Sequence, residues 1–453
     1  MKKIHFIAIG GSVMHNLALA LHDLGNQVTG SDDGFFEPSK SRLSAKGLLP
    51  VNTGWDPNKI TADLDVVILG MHAKADNPEL LKAKELGLEI CSFPDYIYKC
   101  SEDKQRIVIA GSHGKTTITS MVLHVLKHNK IKFDYAVGAT IDGFENMVRL
   151  SDDAPIIIIE GDEYLTSPLD LTPKFLRYQH HVAVISGIAW DHINVFPTYA
   201  EYVSQFEKLV EATPKAGTLI YYEKDAEVKR LVVANEKDNL KFPYTQIESK
   251  IENGKTYLLH EGEKYESGVF GEHNMSNLAA AWFVCKRLFL SDKAFFTTIG
   301  SFTGAGNRLE EIGSNENNVI FKDFAHSPSK LKATCKAVKT QFPNRKVVAC
   351  MELHTFSSLN KDFLEQYKNA FDGIDTPIVY FNPETLAHKK LDPITKEDVI
   401  NAFGAPNLVV FNNSSELESF LNNYSWANTN LLLMSSGSFD NLDLKALSKR
   451  ILD

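Results

Sequence analysis

The chain has 453 residues, 43% hydrophobic and 23% charged, a balance that fits several globular domains and excludes a disordered polypeptide. Acidic residues outnumber basic ones by 57 to 48, net charge -9, with no block of lysine and arginine, so no nucleic-acid partner is expected, while an anionic small molecule remains open through local donors. No apolar run nears the ~20 residues that span a bilayer, the start runs straight into a strand and a glycine turn, and Cys91, Cys100, Cys285, Cys335 and Cys350 form no CxxC pair. A cytoplasmic protein with reduced cysteines, no membrane partner, no disulfide framework and no zinc ribbon is the expectation.

Taken in chain order, residues 1–103 alternate short apolar runs with helical patterns: IHFIAIG, a helix to HDLG, then QVTGSD, DVVILG and EICSF. Strands separated by helices predict a parallel sheet with crossover helices. A second block, 104–305, opens at RIVIAG and continues through APIIIIEGDE, HVAVISG and GTLIYY. Its stretch from 223 to 272 is charged and turn-rich, and reads as hairpins inserted in an α/β domain. A third block, 306–453, places NVIFKDFAHSP, KVVAC, PIVYF, NLVVF and TNLLLMSSGS between helical segments. The fold class is α/β with three domains: two Rossmann-like blocks flanking a central phosphate-loop domain.

The central block carries the strongest chemical signal. In IVIAGSHGKTT an apolar strand ends at Gly111, and Gly114 precedes Lys115, Thr116 and Thr117. Glycines let backbone N-H groups converge on an anion, a lysine supplies a point charge, and a hydroxyl can ligand magnesium. Two residues rather than four separate the glycines, so the loop by itself is also compatible with a helix-capping turn and a solvated lysine. Open parallel sheets bind ligands at the carboxyl ends of their strands, which is where Glu160 follows four isoleucines, with Asp162 and Glu163 beyond it. Asp191 and His192 follow another strand in the same way. In the first block, Gly10 and Gly11 form a turn suited to a diphosphate, and Asp32 lies at the end of the next strand, where a ribose-binding acid belongs. Ala8 and Val13 fill outer glycine positions of that fingerprint, so a nicotinamide-dependent oxidoreductase is a weak alternative; a non-catalytic nucleotide switch is another.

Together these segments resemble the Mur ligase family over essentially the whole chain. GSHGKTT is similar to its ATP loop, EGDEY to its magnesium segment, the DH at 191 and 192 to its second metal region, GEHNMSN to its adenine loop, NRLE to its arginine motif and DFAHSP to its ribose-side motif. The histidine of GSHGKTT, the GSD at 30–32 and GMHAKADNPEL resemble the branch acting on UDP-N-acetylmuramate. SVMHNLALAL, PKFLRY, DHINVFP and MSSGSF resemble members that attach L-alanyl-γ-D-glutamyl-meso-diaminopimelate more than members that add L-alanine, which stay the alternative donor. Folate-polyglutamate ligases share the ATP loop without needing the first block.

The resemblance implies an ATP-dependent ligase that uses Mg2+ and passes through an acyl phosphate. It implies ATP contacts from Gly111, Ser112, His113, Gly114, Lys115, Thr116, Thr117, Asn274, Asn277, Arg308 and Asp323. Metal would be held by Thr116, Glu160 and His192, and UDP-sugar by Gly10, Gly11, Ser12, Met14, Ser31, Asp32 and His72. Lys115, Glu160, His192, Arg308 and His326 would serve the chemistry, with His326 and Ser436 facing the amine donor. Gly187 and Ala189 replace an asparagine and a glutamate of the family pattern, Asn307 replaces an arginine, MELHTFSSL departs from the usual third-block motif, and Glu207 stands where other branches carry a modified lysine.

Overall fold

The computed structural model describes residues 1–190, 195–252, 254–306 and 308–453. Asp191, His192 and Asn307 therefore lie outside the described residues. The chain divides into two compact units. One comprises Met1–Ile188, Tyr199–Tyr244 and Ala280–Phe289, and the other Ala189–Thr198, Thr245–Ala279 and Leu290–Asp453.

In the first unit, strands Lys3–Ile7, Gln27–Ser31, Val66–Leu69 and Ile90–Ser92 form a parallel sheet with Lys3–Ile7 between the second and third. Ile4, Phe6, Ile7, Val67 and Ile68 are buried, as continuous apolar runs in a doubly covered sheet require. A second sheet of seven strands has Gln105–Ala110 at its centre, flanked by Ile156–Glu160 and Val182–Ile185, with Asp134–Ala136 beyond the former and Thr218–Tyr222 beyond the latter. All of these pair in parallel. The chain leaves Gln105–Ala110 towards one side of the sheet, through Asp134–Ala136 and Ile156–Glu160, and then crosses to the other side at Val182–Ile185. Such a reversal opens a crevice at the strands' carboxyl ends.

The two sheets of this unit are clasped together by hydrogen bonds. Arg42 donates through Nη1 to Asn16 Oδ1 (2.8 Å) and through Nη2 to the carbonyl of Glu145 (2.8 Å) and to Asn146 Oδ1. Asn16 in turn accepts from the Met147 N-H at 3.0 Å.

In the second unit, strands Val319–Asp323, Thr429–Met434, Lys346–Leu353, Thr376–Phe381 and Val409–Phe411 lie side by side in that order, all parallel, with Glu310–Ser314 antiparallel at the edge. The turn-rich stretch forms a separate antiparallel sheet of Ser249–Glu252, Lys255–His260 and Glu263–Ser267. It groups with this second unit, and Gln341 fixes it there by accepting from Thr256 Oγ1 (3.0 Å) and donating to the Gly254 carbonyl (2.7 Å). Among the described residues no helix is long and apolar enough to cross a membrane.

Ile158 has no solvent exposure at the middle of its strand. Replacing it with alanine removes three carbons from a close-packed layer, and a loss of about 2–5 kcal/mol in unfolding free energy is expected from urea denaturation.

Candidate active site

Register builds the site before any side chain is considered. Ile109 pairs with Glu160 and Ala110 with Ile185, so three carboxyl ends finish level with one another. The loop after Ala110, the acid at 160 and the Ser186–Gly187 turn are thereby brought to one edge.

The loop itself needs glycine. Gly111 has φ +122°, and a Cβ there would stand 2.3 Å from Ser186 Oγ and 2.8 Å from Ser186 N. Gly114, at φ +75°, precedes helix Lys115–His128, so the loop delivers its chain to a helix N-terminus, where backbone N-H groups favour anions. The neighbouring turn holds this loop in shape: Ser112 N-H donates to the Gly187 carbonyl (2.9 Å), and Ser186 Oγ donates to the His113 carbonyl. Gly187 adopts φ +149°, a backbone that side chains rarely tolerate. The glycine at this departure from the family pattern is therefore one that the observed turn uses.

Lys115 is held rather than solvated. Its Nζ donates to Glu163 Oε2 at 2.7 Å and to the Gly111 carbonyl at 2.8 Å, with 15% of its side chain exposed against 1% for Glu163. Tyr202, fully buried on helix Tyr199–Ala212, donates to Glu163 Oε1 (2.9 Å) and shares a 2.7 Å hydrogen bond with Ser112 Oγ. Burial disfavours the Lys115 ammonium, but Glu163, Asp162 and Glu160 outweigh it and keep its pKa above the ordinary lysine value. For a raised lysine, the stabilisation is fully present below the unfolded value of 10.5 and is lost as pH rises through the folded value. Thr116 Oγ1 donates to Glu160 Oε1 at 2.8 Å, and Glu160 Oε2 accepts the Gly138 N-H at 2.8 Å. Asp162 pairs instead with Lys174 at 2.7 Å. Glu207 is exposed on its helix.

In the first sheet Asp32 accepts the Gly10 N-H at 2.7 Å and closes the glycine turn. Burial raises its pKa, while the Gly10 N-H works the other way. Gly11 leads into helix Ser12–Asp23, whose Met14 is buried, and buried Ser31 accepts from Lys59 Nζ at 2.9 Å. These positions gather at the ends of two neighbouring strands. His72 is exposed after Val66–Leu69.

In the second unit Asp323 accepts N-H groups of Leu309 (2.7 Å) and Ala325 (2.6 Å). Burial raises its pKa, and Arg308 opposes this. The Arg308 guanidinium lies 4.7 Å over the Phe324 ring, and His326 Nδ1 donates to the Phe324 carbonyl at 2.8 Å. Asn274 donates to the Phe270 carbonyl (2.9 Å) and accepts from Asn277 (3.3 Å). Ser436 Oγ is buried with no hydrogen-bond partner among the described residues.

Sequence reasoning missed Tyr202, Ser186 and the pairing of Glu163 with the lysine. Helical periodicity places Tyr202 on the buried face of its helix, but the partner of its hydroxyl is set only by the fold.

The Mur ligase middle domain matches residues 109–285, and the model described as Mur ligase family, catalytic domain, matches residues 3–104. A UDP-N-acetylmuramate–L-alanine ligase of Clostridium kluyveri is 31% identical over 392 residues, covering 83% of each chain. The chain belongs to the Mur ligase family. Mur ligases form amide bonds with ATP as the driving reagent. A second relative of this Mur ligase is the Haemophilus influenzae UDP-N-acetylmuramate–L-alanyl-γ-D-glutamyl-meso-2,6-diaminoheptandioate ligase, 27% identical over 467 residues and 99% of each chain. In fold this chain resembles the UDP-N-acetylmuramate–alanine ligase of Thermotoga maritima, with TM-score 0.71, 21% identity, and coverage of 100% of this chain and 98% of that one.

Glu163→Gln keeps the shape of the lysine's partner and removes its charge, so the Lys115 pKa falls from its wild-type value. The alkaline limb of kcat/KM for ATP should then move to lower pH; a profile superimposable on wild type would show that this charge is not sensed.

Proposed function

We propose that this Mur ligase joins the lactyl carboxylate of UDP-N-acetylmuramate to the amine of L-alanyl-γ-D-glutamyl-meso-diaminopimelate, in the cytoplasm, during recycling of peptidoglycan. The observation that carries the reading is Lys115: an ammonium kept charged beside a glycine loop, at the switch point of a parallel sheet, with Thr116 and Glu160 next to it. A carboxylate does not react with an amine in water, and transfer of the γ-phosphoryl group of ATP makes it electrophilic. The lactyl oxygen would attack the γ-phosphorus, ADP would leave, and the donor amine would displace phosphate from the acyl phosphate with loss of a proton. Phosphoryl transfer of this kind depends on positioning and on neutralising charge.

The roles proposed for individual residues follow from their chemistry. Gly111, Ser112, His113, Gly114 and Thr117 would enclose the phosphates, and Lys115 would leave Glu163 for the γ-phosphate. The Thr116 hydroxyl and the Glu160 carboxylate, 2.8 Å apart, are hard oxygen donors of the type magnesium takes. They would hold the ion, which when bound supplies positive charge to the β- and γ-phosphates. His192 would serve a second ion. Asn274 and Asn277 would meet the adenine, Asp323 the ribose and Arg308 a phosphate. With His326 Nδ1–H donating a hydrogen bond to the Phe324 carbonyl, Nε2 is the ring's proton-accepting atom, suited to take the amine's proton. Gly10, Gly11, Ser12, Met14, Ser31, Asp32 and His72 would bind the UDP-sugar. The domains proposed for these tasks are 1–103, 104–305 and 306–453.

The tripeptide is favoured by segments such as SVMHNLALAL, and the Haemophilus influenzae relative is named for that donor. L-Alanine is the second reading, favoured by the 31% identity to the Clostridium kluyveri enzyme. Phosphate release with ATP, magnesium and UDP-N-acetylmuramate should be faster with the tripeptide than with L-alanine. The reverse order would assign the protein to alanine addition. Lys115→Ala should lower release by at least about 100-fold with either donor, the scale for losing an oriented charge at developing negative charge.

A further inference from the structure

A second group of metal-type ligands, His260, Glu261 and Asp292, shares no residue with the sites assigned above to ATP, magnesium or the UDP-sugar. Strand Lys255–His260 ends in His260, the hairpin turns at Glu261, and helix Asp292–Ile299 of the same unit begins beside it. One ligand atom from each of His260, Glu261 and Asp292 falls within 4.8 Å of the others. His260 Nε2 and Asp292 Oδ2 are 3.3 Å apart. In a tetrahedral site with ligand bonds near 2.0–2.2 Å, neighbouring ligand atoms stand about 3.4 Å apart, so this pair already spans one edge. Glu261, exposed and at φ +50° in the turn, already has a carboxylate oxygen within 4.8 Å of the other two ligand atoms and is the third donor.

The imidazole is preset for that role. Its ring is stacked on Phe296 with centroids 4.4 Å apart and planes 17° from parallel, and the Tyr265 ring also contacts Phe296, with centroids 5.3 Å apart. Stacking fixes the plane and aims Nε2 at Asp292, leaving little side-chain entropy to lose on metal binding. The carboxylate is likewise placed: Asp292 opens a helix capped by Ser291, whose hydroxyl accepts the Ala294 N-H at 3.2 Å. One nitrogen and two oxygens suit a borderline divalent ion rather than magnesium, which prefers oxygen alone.

We propose that His260, Glu261 and Asp292 bind a divalent transition ion of the zinc or cobalt type, tying the turn of the antiparallel sheet to helix Asp292–Ile299. Water completes the coordination, and the ion takes no part in amide-bond formation. Its effect is on stability, because a metal bound only by the folded chain shifts unfolding by mass action.

Protein stripped with a chelator and kept in excess Mg2+ is titrated with Co2+ and with Zn2+. Wild type should bind one equivalent that gives a visible cobalt band, and Zn2+ should raise its unfolding midpoint. His260→Gln, Asp292→Asn and Glu261→Gln should each weaken that equivalent by about tenfold or more, with basal ligase activity unchanged. Glu261 is an exposed turn side chain, so its variant tests the site even where another substitution perturbs folding. Identical titrations and midpoints for wild type and all three variants would overturn the proposal, and would leave the ligase reading untouched.

Discussion

The ion pair between Lys115 and Glu163 is the constraint on which the rest of the site depends. A lysine at the start of a helix, 85% shielded from solvent, is stable only with a counter-charge, and Glu163 supplies it at 2.7 Å. Tyr202 and Ser112 then fix the carboxylate, so the loop, the acidic segment and helix Tyr199–Ala212 share one hydrogen-bonded network. Such an arrangement suits an anion-binding site: the charge is already desolvated, and an incoming phosphate would take the place of Glu163.

This network is possible because of strand register. The pairing of Ile109 with Glu160 and of Ala110 with Ile185 brings three segments, scattered over about 80 positions of sequence, to a single edge. The buried isoleucines that hold this register make no contact with substrate in the proposed mechanism. Their contribution is to place a glycine loop against Ser186 closely enough that a side chain at Gly111 has no room.

Much of this was legible in the sequence, for reasons that are local. A run such as APIIIIEGDE announces a buried parallel strand and the acid at its end, and GSHGKTT announces a loop whose glycines must precede a helix. Partner choice was not legible. Asp162 and Glu163 are adjacent acids, and nothing in the sequence tells that the first takes a half-buried pair with Lys174 and the second a more deeply buried one with Lys115; only the direction of each side chain from the backbone decides. The same holds for Asp32, which in sequence stands at a ribose-binding position and in the structure closes the Gly10 turn through a backbone N-H. The Gly187 departure illustrates a third case. A glycine replacing a polar residue suggests a lost contact, whereas its φ of +149° shows a backbone requirement that no residue pattern displays.

In the mechanism proposed above, Lys115 would exchange Glu163 for the terminal phosphate of ATP. The most direct measurement is a crystal structure with a non-hydrolysable ATP analogue and magnesium. The Lys115 ammonium should then lie within hydrogen-bond distance of a γ-phosphate oxygen. A structure with the analogue bound, Lys115 still on Glu163 and the phosphates held elsewhere would contradict it.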